Sequence, residues 1–212
     1  MLLELPLRPV IACLLGAGAL LSSGCDRQKA AEPQGGAPGA EAGNAAARAA
    51  NYPTGRLDRS HAGTPAPTAS FEDSEGQPAT LAEYRGRPLL LNLWATWCAP
   101  CVVEMPSLDR LAAREDGRVQ VVAVSQDLDG RDEVDRFFAR AGLRNLEPFL
   151  DGDMALMTAL RIGTLPTTIL YDAEGREVWR MTGMAEWDGD RARRLLREAE
   201  RPPSDVSAAE GG

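Results

Sequence analysis

Apolar residues along this 212-residue chain are grouped in three ways, and each grouping predicts a different kind of segment. Positions 10–21 are almost purely apolar. As a helix that run would span roughly 18 Å, short of the ~30 Å hydrocarbon core of a bilayer. Residues 26–67 are rich in Ala, Gly, Pro and Glu and carry no sustained apolar period, which is the pattern of a tether. From residue 68 to about 201, short apolar runs alternate with amphipathic stretches, and a folded domain is expected there.

Within that domain, residues 89–94 are apolar except for Asn92, which predicts a strand buried on both faces. A helix-competent segment follows, from Cys98 to about Arg114. Residues 119–125 are mostly apolar and β-branched and predict the next strand. Residues 129–141 read as an amphipathic helix burying Val134, Phe137, Phe138 and Ala141, stopped by Gly142. Ahead of the central strand, residues 71–73 and 78–81 read as a hairpin, with one helical turn over 81–85. After it come a short strand at Phe149-Leu150 and a helix carrying Leu156 and Leu160, capped from residues 151–153. Pro166 opens a strand running to about Asp172; a proline is tolerated there only at a strand start or edge. Residues 177–181 form an antiparallel strand, and a closing helix over 187–200 ends before Pro202-Pro203. The order predicts an α/β fold with a mixed central sheet flanked by helices and an N-terminal β-hairpin extension.

Charge narrows the function classes. A net charge of −8 argues against nucleic acid and against a polybasic membrane patch. The single histidine, His61, lies in a Gly/Pro-rich stretch and reads as a solvated residue, so no His-based triad or His-rich metal site is available. Of four cysteines, Cys13 and Cys25 fall in or just after the apolar N-terminal run, which leaves Cys98 and Cys101 as the pair in the folded region. A disulfide framework needs more bridges and a zinc site four ligands, so no metal and no cofactor is implied.

A strand that turns into a helix at Cys98-Ala99-Pro100-Cys101 is suited to redox chemistry. At the first helical turn Cys98 meets backbone N–H groups without partners, so its thiol should titrate below the free value of ~8.5, near ~7. Pro100 suits a helix start, since its missing N–H would have lacked a partner anyway. Cys101, three residues on, can close a short disulfide with Cys98. Cys98 is expected to attack a substrate and Cys101 to resolve the mixed disulfide.

The segment Asn92-Leu-Trp-Ala-Thr-Trp-Cys-Ala-Pro-Cys-Val-Val-Glu-Met-Pro resembles the active-site stretch of the thioredoxin superfamily, and in particular its membrane-tethered TlpA/ResA-like branch. The resemblance covers the 68–201 domain and implies a thioredoxin-like fold. Asn92 departs from thioredoxin, which keeps an aspartate in the strand beneath the cysteines. Glu104 matches a glutamate of the TlpA/ResA branch near the thiols. Its carboxylate would raise the thiol pKa or shuttle a proton during resolution; alternatively it complements the dipole of the first helical turn. By the same resemblance the Leu165–Pro166 bond is cis and faces the cysteines, and Trp97, Pro100, Leu165 and Pro166 contact the substrate chain.

The N-terminus adds an address. Residues 1–24 read as a signal peptide of lipoprotein type, with Leu21-Ser22-Ser23-Gly24-Cys25 resembling a bacterial lipobox, although leucine is commoner than serine at position 22. Cys25 is then lipidated, residues 25–67 form a flexible linker with a reach on the order of 35 Å, and 202–212 a disordered tail. By the same resemblance to bacterial lipoproteins, Asp26 directly after the cysteine implies retention at the inner membrane, on the extracytoplasmic face. Function follows as a protein-disulfide reductase of the bacterial periplasm. Its substrates by resemblance are apocytochrome c or copper-site assembly proteins, and an upstream membrane thiol donor would recharge it. An oxidant or isomerase that installs disulfides, and a Cu(I)-binding module, are the alternatives.

Overall fold

Leu89–Trp94 forms the predicted central strand, and every side chain in it is buried. A computed structural model describes residues 54–115 and 117–200. The expected signal peptide, Cys13, the expected lipidation site Cys25, most of the expected linker and the tail lie outside these residues. In chain order the elements are β1 (Arg56–Asp58), β2 (Ser70–Glu72), β3 (Pro78–Thr80), β4 (Leu89–Trp94) and α1 (Ala99–Glu115). Then come β5 (Gln120–Ser125), α2 (Arg131–Ala141), β6 (Phe149–Leu150), α3 (Ala155–Ala159), β7 (Thr167–Tyr171), β8 (Glu177–Thr182) and α4 (Asp190–Leu196). Single 3-10 turns cover Leu81–Tyr84 and Arg197–Glu200.

The strands make one mixed sheet in the order β1-β8-β7-β4-β5-β6-β2-β3. β4 pairs parallel with β5 and antiparallel with β7, so it is flanked on both sides. Period-two alternation sends its side chains into two different cores. Leu90 and Trp94 join the core built with Met105, Leu108 and Leu111 of α1, Phe137 and Phe138 of α2, and Leu195 and Leu196 of α4. Leu89, Leu91 and Leu93 join the other, with Phe71, Leu81, Leu156 and Leu160. Trp94 packs on Phe137 and Phe138 at ring-centroid distances of 4.9 and 5.9 Å, so the aromatic pair of α2 is core. α1 runs through Pro106, which removes one helix hydrogen bond. The fully buried Met105, Leu108 and Leu111 hold the helix together around it.

Four expectations are corrected. Arg56–Asp58, placed by the sequence in the linker, pairs with β8, so ordered structure begins ahead of residue 68. A side chain at Gly55 would meet the Gly183 carbonyl oxygen at 2.5 Å, and the close approach requires glycine there. α2 begins at Arg131 and not 129, because Gly130 sits at φ 86°, outside helical space. Ala141, expected on the buried face, is exposed. The closing helix starts at Asp190 and not 187, and its last turn is 3-10. Trp187 is instead buried and stacked on Trp179, with centroids 6.5 Å apart.

One side chain of α1 fixes the loop beyond α2. The Asp109 carboxylate accepts hydrogen bonds from the amides of Arg144, Asn145 and Leu146 at 3.0, 2.8 and 3.1 Å, and from Asn145 Nδ2 at 2.8 Å. Asp109→Ala strands three amides and should lower unfolding free energy by about 2–4 kcal/mol in urea titrations. A loss under about 0.5 kcal/mol would mean that water replaces the carboxylate.

Candidate active site

The redox pair sits where β4 gives way to α1. The amide of Val102 donates to the Cys98 carbonyl at 3.0 Å, which makes Cys98 the N-cap of α1 and Ala99 its first residue. An N-cap side chain normally reaches the amides two and three residues on. Pro100 has no N–H, so the Cys101 amide is left for a thiolate at Cys98. Cys98 and Cys101 form a disulfide with a Cα–Cα separation of 5.2 Å. Cys98 is 7% exposed and Cys101 is fully buried, so the N-terminal sulfur is the one nearer the surface. Trp97, directly before it, is 67% exposed.

The Leu165–Pro166 bond is cis, as the resemblance implies. β7 is antiparallel to β4 with Leu93 opposite Thr167. Pro166 immediately precedes Thr167, where β7 begins, at the end of the β4–β7 pairing from which the cysteine turn departs. Leu165 packs against the core that contains both cysteines. Pro166 is also tied to the segment after β8, since the Gly183 amide donates to its carbonyl at 2.8 Å.

Glu104 lies one helical turn beyond Cys101 and is 2% exposed. Its Oε1 accepts from Asn92 Nδ2 at 2.8 Å, and its Oε2 from the Ala185 amide at 3.0 Å and Trp187 Nε1 at 3.2 Å. Asn92 Nδ2 also donates to Thr168 Oγ1 at 2.9 Å. Burial pushes the Glu104 carboxyl up to about 7, and the three donors oppose that shift without cancelling it. The group is therefore poised to hold or release a proton near neutrality. The dipole reading of Glu104 fits poorly with a carboxyl turned inward to sheet and loop. Ala185, Trp187 and Thr168 were not legible as members of this cluster. The only hint was a tryptophan standing among polar residues at 187.

The Glu104 proton is bound more tightly in the folded state than in the unfolded one. Its stabilising contribution is full below pH ~4.5 and is lost as pH rises through about 7. Between pH 5 and 8 the unsubstituted oxidised protein should lose about 2–3 kcal/mol relative to Glu104→Gln, whose amide stays neutral. Denaturant titrations across that range check this; parallel pH–stability curves would return Glu104 to the ordinary carboxyl range.

The Redoxin family profile matches residues 61–196. The thiol-disulfide oxidoreductase ResA of Geobacillus thermodenitrificans is 34% identical over 122 residues, which cover 57% of this chain and 69% of that protein. The ResA of Halalkalibacterium halodurans is 37% identical over 130 residues, 59% of this chain and 72% of that one. In fold, the crystal structure of a putative thiol:disulfide interchange protein DsbE from Chlorobium tepidum superposes with a TM-score of 0.59 at 23% identity. That match covers 65% of this chain and 96% of the other. With a cysteine pair at the head of α1 and these matches in sequence and fold, the chain belongs to the Redoxin family as a thiol-disulfide oxidoreductase of the ResA type.

Proposed function

We propose that this oxidoreductase works outside the cytoplasm as a reductant of protein disulfides, held at the membrane through a lipid on Cys25. In each cycle the Cys98 thiolate attacks one sulfur of a substrate disulfide, forming a mixed disulfide and releasing the other sulfur as a thiolate. Cys101 then loses its proton and attacks Cys98, which frees the second substrate thiol and leaves the pair oxidised. A membrane thiol donor returns the pair to the dithiol. Substrates of this reading are the haem-site cysteines of apocytochrome c or the cysteines of copper-site assembly proteins. Trp97, Pro100, Leu165 and Pro166 line the approach, with Leu165 lending backbone groups to an extended substrate chain.

The observation that carries the reducing direction is the buried Glu104 carboxyl one turn from Cys101. When ionised it opposes a neighbouring thiolate, and Ala99-Pro100 brings no side-chain donor to offset it. Destabilising the thiolate weakens the reduced form and lowers the potential. The N-terminal address rests on the sequence of residues 1–25, and no helix among the described residues is long and apolar enough to cross a membrane.

Equilibration against dithiothreitol or glutathione buffers, read through Trp97 fluorescence, should give a potential nearer ~−270 mV than ~−120 mV. A value at the oxidising end would favour the disulfide-forming alternative. Cys101→Ser should in turn leave Cys98 in stable mixed disulfides whose partners are haem- or copper-site proteins. Partners drawn only from other classes would remove that substrate assignment.

A further inference from the structure

The redox pair hangs from a turn whose second residue is gripped from the neighbouring strand. Beyond β4, the Cys98 amide donates to the Ala95 carbonyl at 3.1 Å, closing a turn over Ala95, Thr96, Trp97 and Cys98. The Thr96 N–H donates to Asp127 Oδ2 at 2.9 Å, and its hydroxyl to Asp127 Oδ1 at 2.6 Å. Asp127, two residues past the end of β5, is 1% exposed. The Ser125 hydroxyl gives the carboxylate a third donor, and the Asp127 amide donates back to that hydroxyl oxygen at 3.1 Å. The Gln126 amide extends the β4–β5 ladder by donating to the Trp94 carbonyl at 2.8 Å. Among the described residues no ion pair involves Asp127.

A buried carboxylate without a cation is held by fixed donors alone. Two of its three donors here belong to the residue two places before Cys98. Gripping Thr96 by both its amide and its hydroxyl fixes the backbone and side chain of the turn's second residue. The direction of the fourth residue, Cys98, follows from that of the second. Loosening Thr96 lets the sulfur swing away from the free amide at the head of α1, the group that favours a thiolate.

We propose that Asp127 is a positioning residue for the redox reaction: acting through Thr96, it fixes the turn that presents the Cys98 sulfur at the N-terminus of α1. The inference rests on the reading of Cys98 as the attacking thiol. It concerns a residue outside the Cys-x-x-Cys segment, reached only through the sheet.

The test is iodoacetamide alkylation of the reduced full-length protein across pH, followed at Cys98 and Cys101 by peptide mass spectrometry. The variants are Asp127→Asn, Thr96→Val, the two combined, and Thr96→Ser. Alkylation of Cys98 at pH 7 should slow about fivefold or more in each of the first two, with its pH midpoint displaced upward. Thr96→Ser, which keeps the hydroxyl, should stay within about twofold of the unsubstituted protein. The combined variant should be no slower than the slower single one, because both changes break one contact. Unchanged Cys98 kinetics in folded variants overturns the inference and leaves Asp127 a structural residue. Faster alkylation in Asp127→Asn alone also overturns it, since the charge would then act on the sulfur directly. If Asp127→Asn does not fold, Thr96→Val decides alone. Faster labelling of Cys101 than Cys98 in the unsubstituted chain overturns the attacking-thiol reading itself, and the inference with it.

Discussion

A carboxyl group enclosed between a helix and a sheet keeps its place only if the surrounding chain brings donors to it. Glu104 imposes that condition on this fold. β4 meets it with Asn92, the one polar residue of an otherwise apolar strand, on the face turned toward α1. The segment between β8 and α4 meets it with the Ala185 amide and the Trp187 indole. Trp187 in turn donates its own amide to Ser107 at 3.1 Å, one turn further along α1. Three parts of the chain are thus tied at one point, one helical turn along α1 from Cys101. An aspartate at position 92 would have set a second acid against Glu104 in the same low-dielectric space.

The cysteine turn lies between two buried acids with different consequences. Glu104 is reached from sheet and loop, and its burial leaves the carboxyl near neutrality. Asp127 accepts three hydrogen bonds from neutral donors and fastens the turn itself. Neither has a cationic partner among the described residues. A thiolate at Cys98 therefore depends on the helix N-terminus for stabilisation, which accounts for the importance of the N-cap geometry.

What could be read from the sequence was what local pattern controls. The apolar run at 89–94, the Cys-x-x-Cys pair and Pro166 each announce themselves within a few residues, and the elements they mark stand where expected. β1 was missed because it is three residues long with Leu57 as its single apolar side chain. Its existence depends on backbone pairing with β8, more than 120 positions away, as in Leu57 opposite Met181. The start of the closing helix was misplaced for a related reason. Gly189 is the N-cap, in extended backbone at ψ 175°, and ahead of it Trp187 is held by a hydrogen bond to Glu104, 83 positions earlier. Asp127 was equally silent, since its significance lies in Thr96, 31 positions before it.

Both margins of the sheet end in strands of only three residues. β3 begins with Pro78, which has no amide to offer a further strand, and β1 places Arg56 and Asp58 on either side of Leu57. Short, charged or proline-bearing edges are poor templates for another chain's backbone. An open β8 edge would offer any exposed strand a seat unrelated to the cysteines. By covering the six-residue β8 with a three-residue strand, β1 leaves the sheet a margin too short to template edge-to-edge pairing.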